Sequence, residues 1–242
     1  MMNRKTATVS LATSVAVLVS LVATARSAAP AGAASGSPWS VMSSPNPSST
    51  NNSLYGVTAV SVNDVWAVGS YDNSYIGDTL VEHWNGSAWS VVFSPSPSST
   101  TDQLLGVATV SSTDVWAVGH SYSLGNYPTL VEHWNGKNWS VVSSPSPSSI
   151  DYLYGVAAVS ASDVWAVGYA CNCPSGLHQT LTEQSNGKKW SVVSSPNPAT
   201  ADNYLTGVAA LSTGQVWAIG YSSYNTPSGY TYQTLILYNA TG

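Results

Sequence analysis

The chain has 242 residues, and only 7% of them are charged. Six basic and eleven acidic residues give it a formal net charge of −5 at pH 7. So few cations cannot neutralise a phosphate backbone, so the composition excludes a nucleic-acid partner and argues against binding to anionic lipid surfaces.

The first segment of the chain has the pattern of an export signal. Arg4 and Lys5 precede an apolar run, Leu11–Ala23, which small residues follow. Because the run is weaker than a membrane span of about 20 apolar residues, we predict a signal peptide over residues 1–29, with an approximate cleavage site. Residues 30–37 would form a linker, and the protein would be secreted or held at the cell surface. An uncleaved N-terminal anchor is the alternative.

After the leader, one pattern recurs with a period of about 50 residues, which indicates a repeat architecture. Its most regular motif is Asp-Val-Trp-Ala-Val-Gly, with copies that begin at Asp64, Asp114 and Asp163 and a variant copy at Gln215. A second motif, Trp-Ser-Val, begins at Trp39, Trp89, Trp139 and Trp190. One copy of the second motif therefore precedes the first full repeat, and the last repeat lacks one.

Each repeat divides into four short segments with the composition of β-strands. In the second repeat these segments are residues 104–111, 115–119, 129–134 and 139–143, which we label A to D. An Asn-Gly pair separates C from D in three repeats, and this pair is the strongest short signal for a hairpin turn. The Asp that ends each A–B turn is interpreted as a turn residue that bonds the backbone, rather than as a catalytic group.

Four-stranded units at this spacing predict the blades of a β-propeller. We therefore predict an all-β fold, a four-bladed propeller in residues 38–242. Its blades would cover about 54–94, 104–144, 153–195 and 205–242. The fourth blade lacks a D segment, and we expect residues 38–43 to supply it and close the ring, which removes two sheet edges. A fragment of a longer array and one half of an eight-bladed dimer are the alternatives.

Small residues recur in the A segments, where the inner strands of a propeller converge on its axis. Glycine occupies one position in all four repeats, at Gly56, Gly106, Gly155 and Gly207. The pattern predicts close packing between neighbouring inner strands.

The nine residues Val131–Trp139, followed by the Asp163–Gly168 motif, resemble a kelch-type propeller repeat. In that family an aromatic–Asp pair precedes a tryptophan, and a later strand ends in a glycine doublet. Here Trp134-Asn135 replaces the aromatic–Asp pair. The first glycine of the doublet is present at Gly119, Gly168 and Gly220, but the second is replaced by His120, Tyr169 and Tyr221. The repeats are also similar to tandem repeats of secreted bacterial proteins. The resemblance covers residues 38–242 and implies a propeller fold without implying an activity.

Two patterns could suggest metal ligands, but neither predicts a metal site. The Glu-His pairs at 82–83 and 132–133 lie within strands, where consecutive side chains point to opposite faces and cannot chelate one ion. Cys171 and Cys173 are the only cysteines. In an exported protein we expect them to form a disulfide with each other or to remain unbonded. We expect no metal and no cofactor.

The candidate ligand-binding residues are tyrosines in the four B–C connections, at residues 70–78, 120–128, 169–179 and 221–233. Tyrosine offers a large rigid contact area with a polar tip, which suits recognition surfaces. The candidates are Tyr71, Tyr75, Tyr122, Tyr127, Tyr169, Tyr221, Tyr224 and Tyr230, with Tyr232 beside them. The leading prediction is a non-catalytic module that binds an extracellular glycan or protein through these loops. We expect it to be a monomer.

Two other functions stay open. A glycan hydrolase or lyase would use loop carboxylates, for which the candidates are Asp72, Asp78, Asp102, Asp151 and Asp202. Such an enzyme needs an acid/base pair with perturbed pKa values in a cleft. A structural cell-envelope protein would have no pocket, and its tyrosines would only keep a charge-poor surface hydrated.

Overall fold

The computed structural model describes residues 38–73, 76–172, 176–212 and 214–240, and their regular structure is entirely β. The predicted signal peptide and linker lie outside these residues. Val, Trp, Tyr and Thr favour pleated, half-buried positions and fill the strands. In chain order the strands are β1 (Asn52–Ser61), β2 (Asp64–Asn73), β3 (Ile76–Trp84), β4 (Trp89–Val91), β5 (Thr101–Ser111), β6 (Asp114–Tyr122), β7 (Thr129–Trp134), β8 (Trp139–Val141), β9 (Ile150–Ser160), β10 (Asp163–Cys171), β11 (Gln179–Ser185), β12 (Trp190–Val193), β13 (Asn203–Ala210), β14 (Val216–Thr226) and β15 (Gly229–Asn239).

The strands form four consecutive antiparallel groups, which confirms the predicted repetition. We call β1–β4 unit 1, β5–β8 unit 2, β9–β12 unit 3 and β13–β15 unit 4. Units 1 to 3 each contain four strands, and unit 4 contains three. A short parallel pairing between Gly77 and Thr101 joins units 1 and 2 into one sheet.

The Asn-Gly turns between the third and fourth strands confirm the hairpin prediction. Asn85 Oδ1 accepts hydrogen bonds from two backbone N–H groups of its turn, at 3.0 and 3.1 Å. Gly86 has a φ of 90°, and the equivalent glycines of units 2 and 3 are also positive. Asn85 does not share the positive φ. The glycine therefore supplies the left-handed conformation and the asparagine supplies the acceptor.

The aspartates of the A–B turns bond side chains of the third strand instead of the turn backbone that we predicted. Asp64 Oδ1 lies 2.8 Å from His83 Nε2, and unit 2 repeats this pair at the same distance. In unit 3, Gln184 takes the place of the histidine and donates to Asp163 Oδ1 at 3.1 Å. The long side chain reaches across the pair of strands to the carboxylate. Glu82, next to His83, is buried, as expected for opposite faces of one strand;.

Consecutive units pack through one repeated junction. The second-strand tryptophan of one unit meets the fourth-strand tryptophan of the next unit edge to face. The ring centroids are 5.5 Å apart for Trp66 and Trp139, and 5.6 Å apart for Trp116 and Trp190. Such aromatic pairs add about 0.5–1.5 kcal/mol beyond the burial of their area.

Glycines allow the first strands of neighbouring units to approach closely. A Cβ atom on Gly106 would lie 3.3 Å from the Cα of Gly155 and 2.8 Å from the carbonyl oxygen of Tyr154. A Cβ atom on Gly155 would in turn lie 3.2 Å from the Cα of Gly207. The predicted crowding of the inner strands is therefore confirmed.

The Pro-Ser segments between units are held by short polar bonds. The backbone N–H of Thr79, in β3, donates to Ser96 Oγ at 3.0 Å. Two residues further along the linker, Ser98 N–H donates to Asp102 Oδ2 at 2.9 Å. Units 2 and 3 repeat both bonds with equivalent residues. Each linker is thus fixed at both ends, which fixes the position of one unit relative to the next.

The predicted closure of the ring is not seen. Residues 38–50 form no strand, and Trp39 is 84% exposed. Within the described part of the chain, β15 is the last strand of its sheet. Strands of unit 1 do not pack extensively on strands of unit 4. Among the described residues, the four units therefore form an open series.

In units 1 and 4 the connections predicted as loops between the second and third strands are largely strand. β14 and β15 stay paired up to Thr226 and Gly229, so most of the predicted loop at 221–233 is a hairpin. β2 and β3 likewise pair up to Asn73 and Ile76. Tyrosine and threonine favour strands. Beyond the core, backbone hydrogen bonds can keep two antiparallel strands paired even where the side chains do not alternate between apolar and polar. The tyrosines of this end are therefore mostly held on strands.

Candidate functional site

Rings from units 2, 3 and 4 form a continuous line of contacts, which we call the aromatic strip. Neighbouring ring centroids are 3.9 to 6.1 Å apart. The strip consists of Tyr122, Tyr127, Tyr152, Tyr154, Tyr169, Tyr204, Tyr221 and Tyr232, together with His120 and His178. It follows the end of the sheets at which the second and third strands join, opposite to the Asn-Gly turns.

Strand register builds the strip. Tyr152 on β9 pairs with Tyr169 on β10, and their rings stack 5.1 Å apart at an angle of 11°. Tyr204 on β13 pairs with Tyr221 on β14 in the same way, at 4.9 Å. The two pairs meet where Tyr169 lies edge to face against Tyr204, at 5.0 Å. The repeat thus extends a local cross-strand pair into a surface that continues from unit to unit.

Three phenols of the strip, those of Tyr152, Tyr169 and Tyr204, are held in the neutral form. Burial is the largest cause that raises the pKa of Tyr152 and of Tyr204 to about 12. Burial and the surrounding tyrosines raise the pKa of Tyr169 further. Each hydroxyl therefore keeps its proton at physiological pH and can both donate and accept a hydrogen bond.

The two histidines of the strip have different environments. His120 is buried with its centroid 3.9 Å from that of Tyr152, and burial lowers its pKa to about 4. His178 Nδ1 lies 2.9 Å from Asp202 Oδ1, and the backbone N–H of His178 donates to the same oxygen at 3.0 Å. Burial alone would raise the pKa of Asp202, but these hydrogen bonds keep it below its usual range. His120 is therefore a neutral ring, and Asp202 is an ionised acceptor.

At unit 4 the strip borders a hollow of about 310 Å³. Its walls are Asp202, Tyr204, Tyr221, Ser223, Tyr230 and Tyr232. Because His178 fixes one oxygen of Asp202, the carboxylate has a defined orientation beside the aromatic faces. The hollow can therefore hold a small polar ring that has hydroxyl groups on its edge and apolar faces.

The tyrosines predicted from the sequence fall into several places. Those that belong to the strip are Tyr122, Tyr127, Tyr169 and Tyr221, and Tyr230 and Tyr232 line the hollow. Tyr71 is on unit 1, where it borders a separate cavity of about 580 Å³. Tyr224 is half-buried on β14. Tyr75 lies outside the described residues.

The sequence interpretation missed both histidines of the strip and three of its tyrosines. The tyrosines are Tyr152, Tyr154 and Tyr204. They flank the fully buried Leu153 and Leu205 in first strands that were considered only as inner strands. A signal was available, because alternation places both neighbours of a buried leucine on the opposite face. The residue that follows the glycine of the second strand is the cross-strand partner of a residue on that face. Combining these two positions would have identified the strip.

The loop carboxylates considered for catalysis lie in different places, although Asp78 adds to the effect of burial in raising the pKa of the fully buried Asp102. Asp102 and Asp151 are fully buried and accept backbone N–H groups of the linkers, and burial raises the pKa of both, that of Asp151 to about 6. Asp72 and Asp78 accept from neighbouring asparagines at 2.5 and 2.9 Å. The exposed cavities place Asp72 on unit 1 and Asp202 on unit 4, which do not pack on each other.

Cations, metals and thiols add nothing to the strip. The lysines at 137, 188 and 189 lie in the Asn-Gly turns at the other end of the sheets. Among the described residues no three of His, Cys, Asp or Glu are grouped to hold a metal ion. The described part of the chain also contains no helix with the length and hydrophobicity that a membrane crossing requires. Cys171 is disulfide-bonded, and Cys173 lies outside the described residues.

No protein-family model matches the chain, and no curated protein sequence matches it either. Its structure is similar to a solved structure described as "YCF48 bound to D1 peptide", with 12% sequence identity and a TM-score of 0.44. The similarity covers 75% of this chain and 54% of that chain, so this chain spans about half the length of the structure it resembles.

Proposed function

We propose that the chain is a secreted or cell-surface carbohydrate-binding protein with kelch-like propeller repeats, and that it binds without catalysing a reaction. The observation that carries the proposal is the aromatic strip, which crosses three units and reaches the hollow beside Asp202. A surface of that extent suits a glycan chain better than a single sugar.

The chemistry of the strip favours a neutral glycan. Aromatic faces pack against the C–H groups of a sugar ring, and each ring is worth about 0.5–1.5 kcal/mol beyond area burial. The phenol hydroxyls and the Asp202 carboxylate supply donors and an acceptor for sugar hydroxyls. An anionic ligand would find no countercharge, because the lysines are at the opposite end of the sheets. We therefore expect modest affinity that is spread over several rings.

The hydrolase or lyase alternative has less support. Glycoside cleavage needs two carboxyl groups on either side of one bond. The buried Asp102 and Asp151 hold linkers, and Asp202 faces the hollow as one carboxylate bonded to His178. Removal of Asp202 should therefore weaken binding rather than abolish a reaction.

The proposal is tested by a screen of the secreted chain against neutral oligosaccharides, followed by calorimetric titration of a hit. Tyr204→Ala and Tyr221→Ala should each weaken binding about 2- to 10-fold, which corresponds to the energy of one aromatic contact. Tyr71→Ala is the matched control, because it removes a tyrosine of unit 1 that is not part of the strip. Equal binding by the strip variants and the wild type, with unchanged thermal melts, would contradict the proposal.

A further inference from the structure

An apolar groove of about 410 Å³ lies between units 3 and 4, along the outer edge of β15. Trp165 and Val167 of β10 form one wall, and Leu237 and Tyr238 of β15 form another. In units 1 to 3 the fourth strand pairs with the third strand at this position. The groove is therefore at the place of a fourth strand, and among the described residues no strand of unit 4 occupies it.

The groove has the surroundings of a tryptophan site. In units 2 and 3 the fourth-strand tryptophan packs on the second-strand tryptophan of the preceding unit. Trp165 is the next member of that series, and it lines the groove. The chain has one further Trp-Ser-Val motif, Trp39-Ser40-Val41, which belongs to no strand of the four units. That motif has the sequence of the strand that the groove fits.

The linker that follows this motif already sits on unit 1 as the other linkers sit on units 2 and 3. Ser48 N–H donates to Asn52 Oδ1 at 2.9 Å, the bond that Ser98 makes with Asp102 in the next unit. Burial raises the pKa of Glu82 in unit 1, and a hydrogen bond with Ser44, on the linker, partly opposes this effect. The motif therefore lies beyond the open side of unit 1, ahead of a linker that is in its final place.

The open faces of units 1 and 4 correspond to the two halves of a junction. Leu54 of unit 1 is 44% exposed, whereas the equivalent leucines of the other units are fully buried. Trp217 of unit 4 is 44% exposed, whereas the equivalent tryptophans are buried. A Cβ atom on Gly207 would meet only Ile219 of its own unit, so among the described residues nothing requires glycine there. At all three positions the chain therefore has the residue type that the other units use in their junctions.

We propose that Trp39–Met42 of one copy of this chain adds as a strand to β15 of a second copy, and that unit 1 of the first copy packs on unit 4 of the second. Such strand addition satisfies a sheet edge and gives affinity through main-chain hydrogen bonds. The proposal concerns assembly and does not depend on the proposed glycan binding. It replaces the expectation of a monomer.

A second copy is favoured over closure within one chain by the uniformity of the junctions. Equivalent glycine contacts and linker bonds at three junctions, with the tryptophan contact at two of them, hold the units in an arrangement in which units 1 and 4 do not pack extensively on each other. Joining these units within one chain requires the junctions to be distorted, whereas a second copy repeats the existing junction. The contact joins unit 1 of one chain to unit 4 of the next chain, which is a head-to-tail arrangement. Two chains can therefore close a ring, and more chains can form a larger assembly.

The register of the added strand follows from unit 3. Trp190 pairs with Ser185, and Ser185 pairs with Val164 on the other side. In unit 4 the equivalent of Ser185 is Asn239, which pairs with Val216. The predicted pairs are therefore Trp39 with Asn239, Ser40 with Tyr238 and Val41 with Leu237. Further along, the exposed Thr234 would donate its N–H to Asn46 Oδ1, as Thr180 does to Asn197 at 2.7 Å.

Cysteine cross-linking of the full secreted chain tests the proposal. Ser40→Cys combined with Tyr238→Cys should give, on oxidation, a reducible species of two or more chains. Ser40→Cys combined with Ile236→Cys is the register control and should cross-link far less, because Ile236 is two residues out of step on the same face. Ser40→Cys alone controls for disulfides between identical segments.

Light scattering of the uncross-linked chain gives an independent result. We expect a mass of at least two chains for the wild type and for Val62→Asp, which adds a charge to an exposed turn of unit 1. Trp39→Asp should reduce the mass to one chain, because the equivalent tryptophans Trp139 and Trp190 are buried in their junctions and a charge there would be buried without a partner;. A single-chain mass for the wild type, or a cross-link within one chain, would overturn the proposal.

Discussion

Two buried glutamates should make the stability of this protein fall as the pH rises through neutrality. Glu132 of unit 2 and Glu183 of unit 3 are fully buried, and their carboxyl oxygens have no hydrogen-bond partner. Burial is the main cause that raises the pKa of each to about 8, and a nearby aspartate adds to it. Both side chains are therefore protonated in the folded protein at neutral pH, whereas they are ionised in the unfolded chain.

The sign and the size of the effect follow from this difference. Between the unfolded pKa near 4.5 and the folded pKa near 8, the folded state binds one more proton for each glutamate. The free energy of unfolding then falls by about 1.4 kcal/mol per pH unit for each group. From pH 6.5 to 7.5 the pair should cost about 3 kcal/mol, or a decrease in Tm of about 6–12 °C for a chain of this size.

Thermal melts of the wild type and of Glu132→Gln/Glu183→Gln across this interval test the reasoning. Glutamine keeps the shape and cannot ionise, so the double variant should lose most of the slope while it keeps its fold. The interval lies above the pKa of about 6 of Asp151. His120, whose pKa is lowered to about 4 by burial, would make stability rise with pH instead, so neither group accounts for the fall;. A wild-type slope that persists in the double variant would refute the assignment.

Other properties of the fold lead to further predictions. His120→Phe should remove a loss of stability that the wild type shows as the pH falls from about 6.5 to about 4, because the folded histidine is neutral while the unfolded one gains a proton;. Gly155→Ala should lower the free energy of unfolding by about 1–3 kcal/mol in a denaturant titration, because its Cβ would press on Gly207;. Gly207→Ala should leave the stability of the separate chain nearly unchanged, and a loss as large as that of Gly155→Ala would contradict this. Mass spectrometry of the secreted protein should find a mature N-terminus near residue 30, and a product that still begins at Met1 would disprove cleavage of the leader.

Local patterns were enough to predict the strands and their turns. Asn-Gly pairs and the alternation within the Asp-Val-Trp motif act within one repeat, and the glycine of each first strand could be predicted because it recurs at the same place in every repeat. Closure of the ring could not be predicted in this way, because it depends on the angle between units. That angle is set by contacts such as Trp66 on Trp139, which join residues more than a repeat apart.

Only part of the site could be predicted, again because local patterns do not show which strands pair with each other. The sequence identified Tyr122, Tyr127, Tyr169 and Tyr221 from their position in the connections between strands. It missed Tyr152 and Tyr204 because a first strand with one face in the core gives no composition signal for its other face. Only the pairing of Tyr152 with Tyr169, and of Tyr204 with Tyr221, brings the two sets together.

The arrangement of units in an open series also determines which unit should unfold first. Each unit packs on its neighbours in the chain alone, so the cost of unfolding one unit is its own core plus the junctions that it loses. Unit 4 has three strands and one junction, and its buried cluster contains Val167, Leu205, Ala218 and Leu235. Units 2 and 3 have two junctions each and larger clusters. When the chain is kept single, as by Trp39→Asp, amide hydrogens of β14 and β15 should therefore exchange with solvent long before those of β6 and β10, and fraying should begin at this end of the molecule.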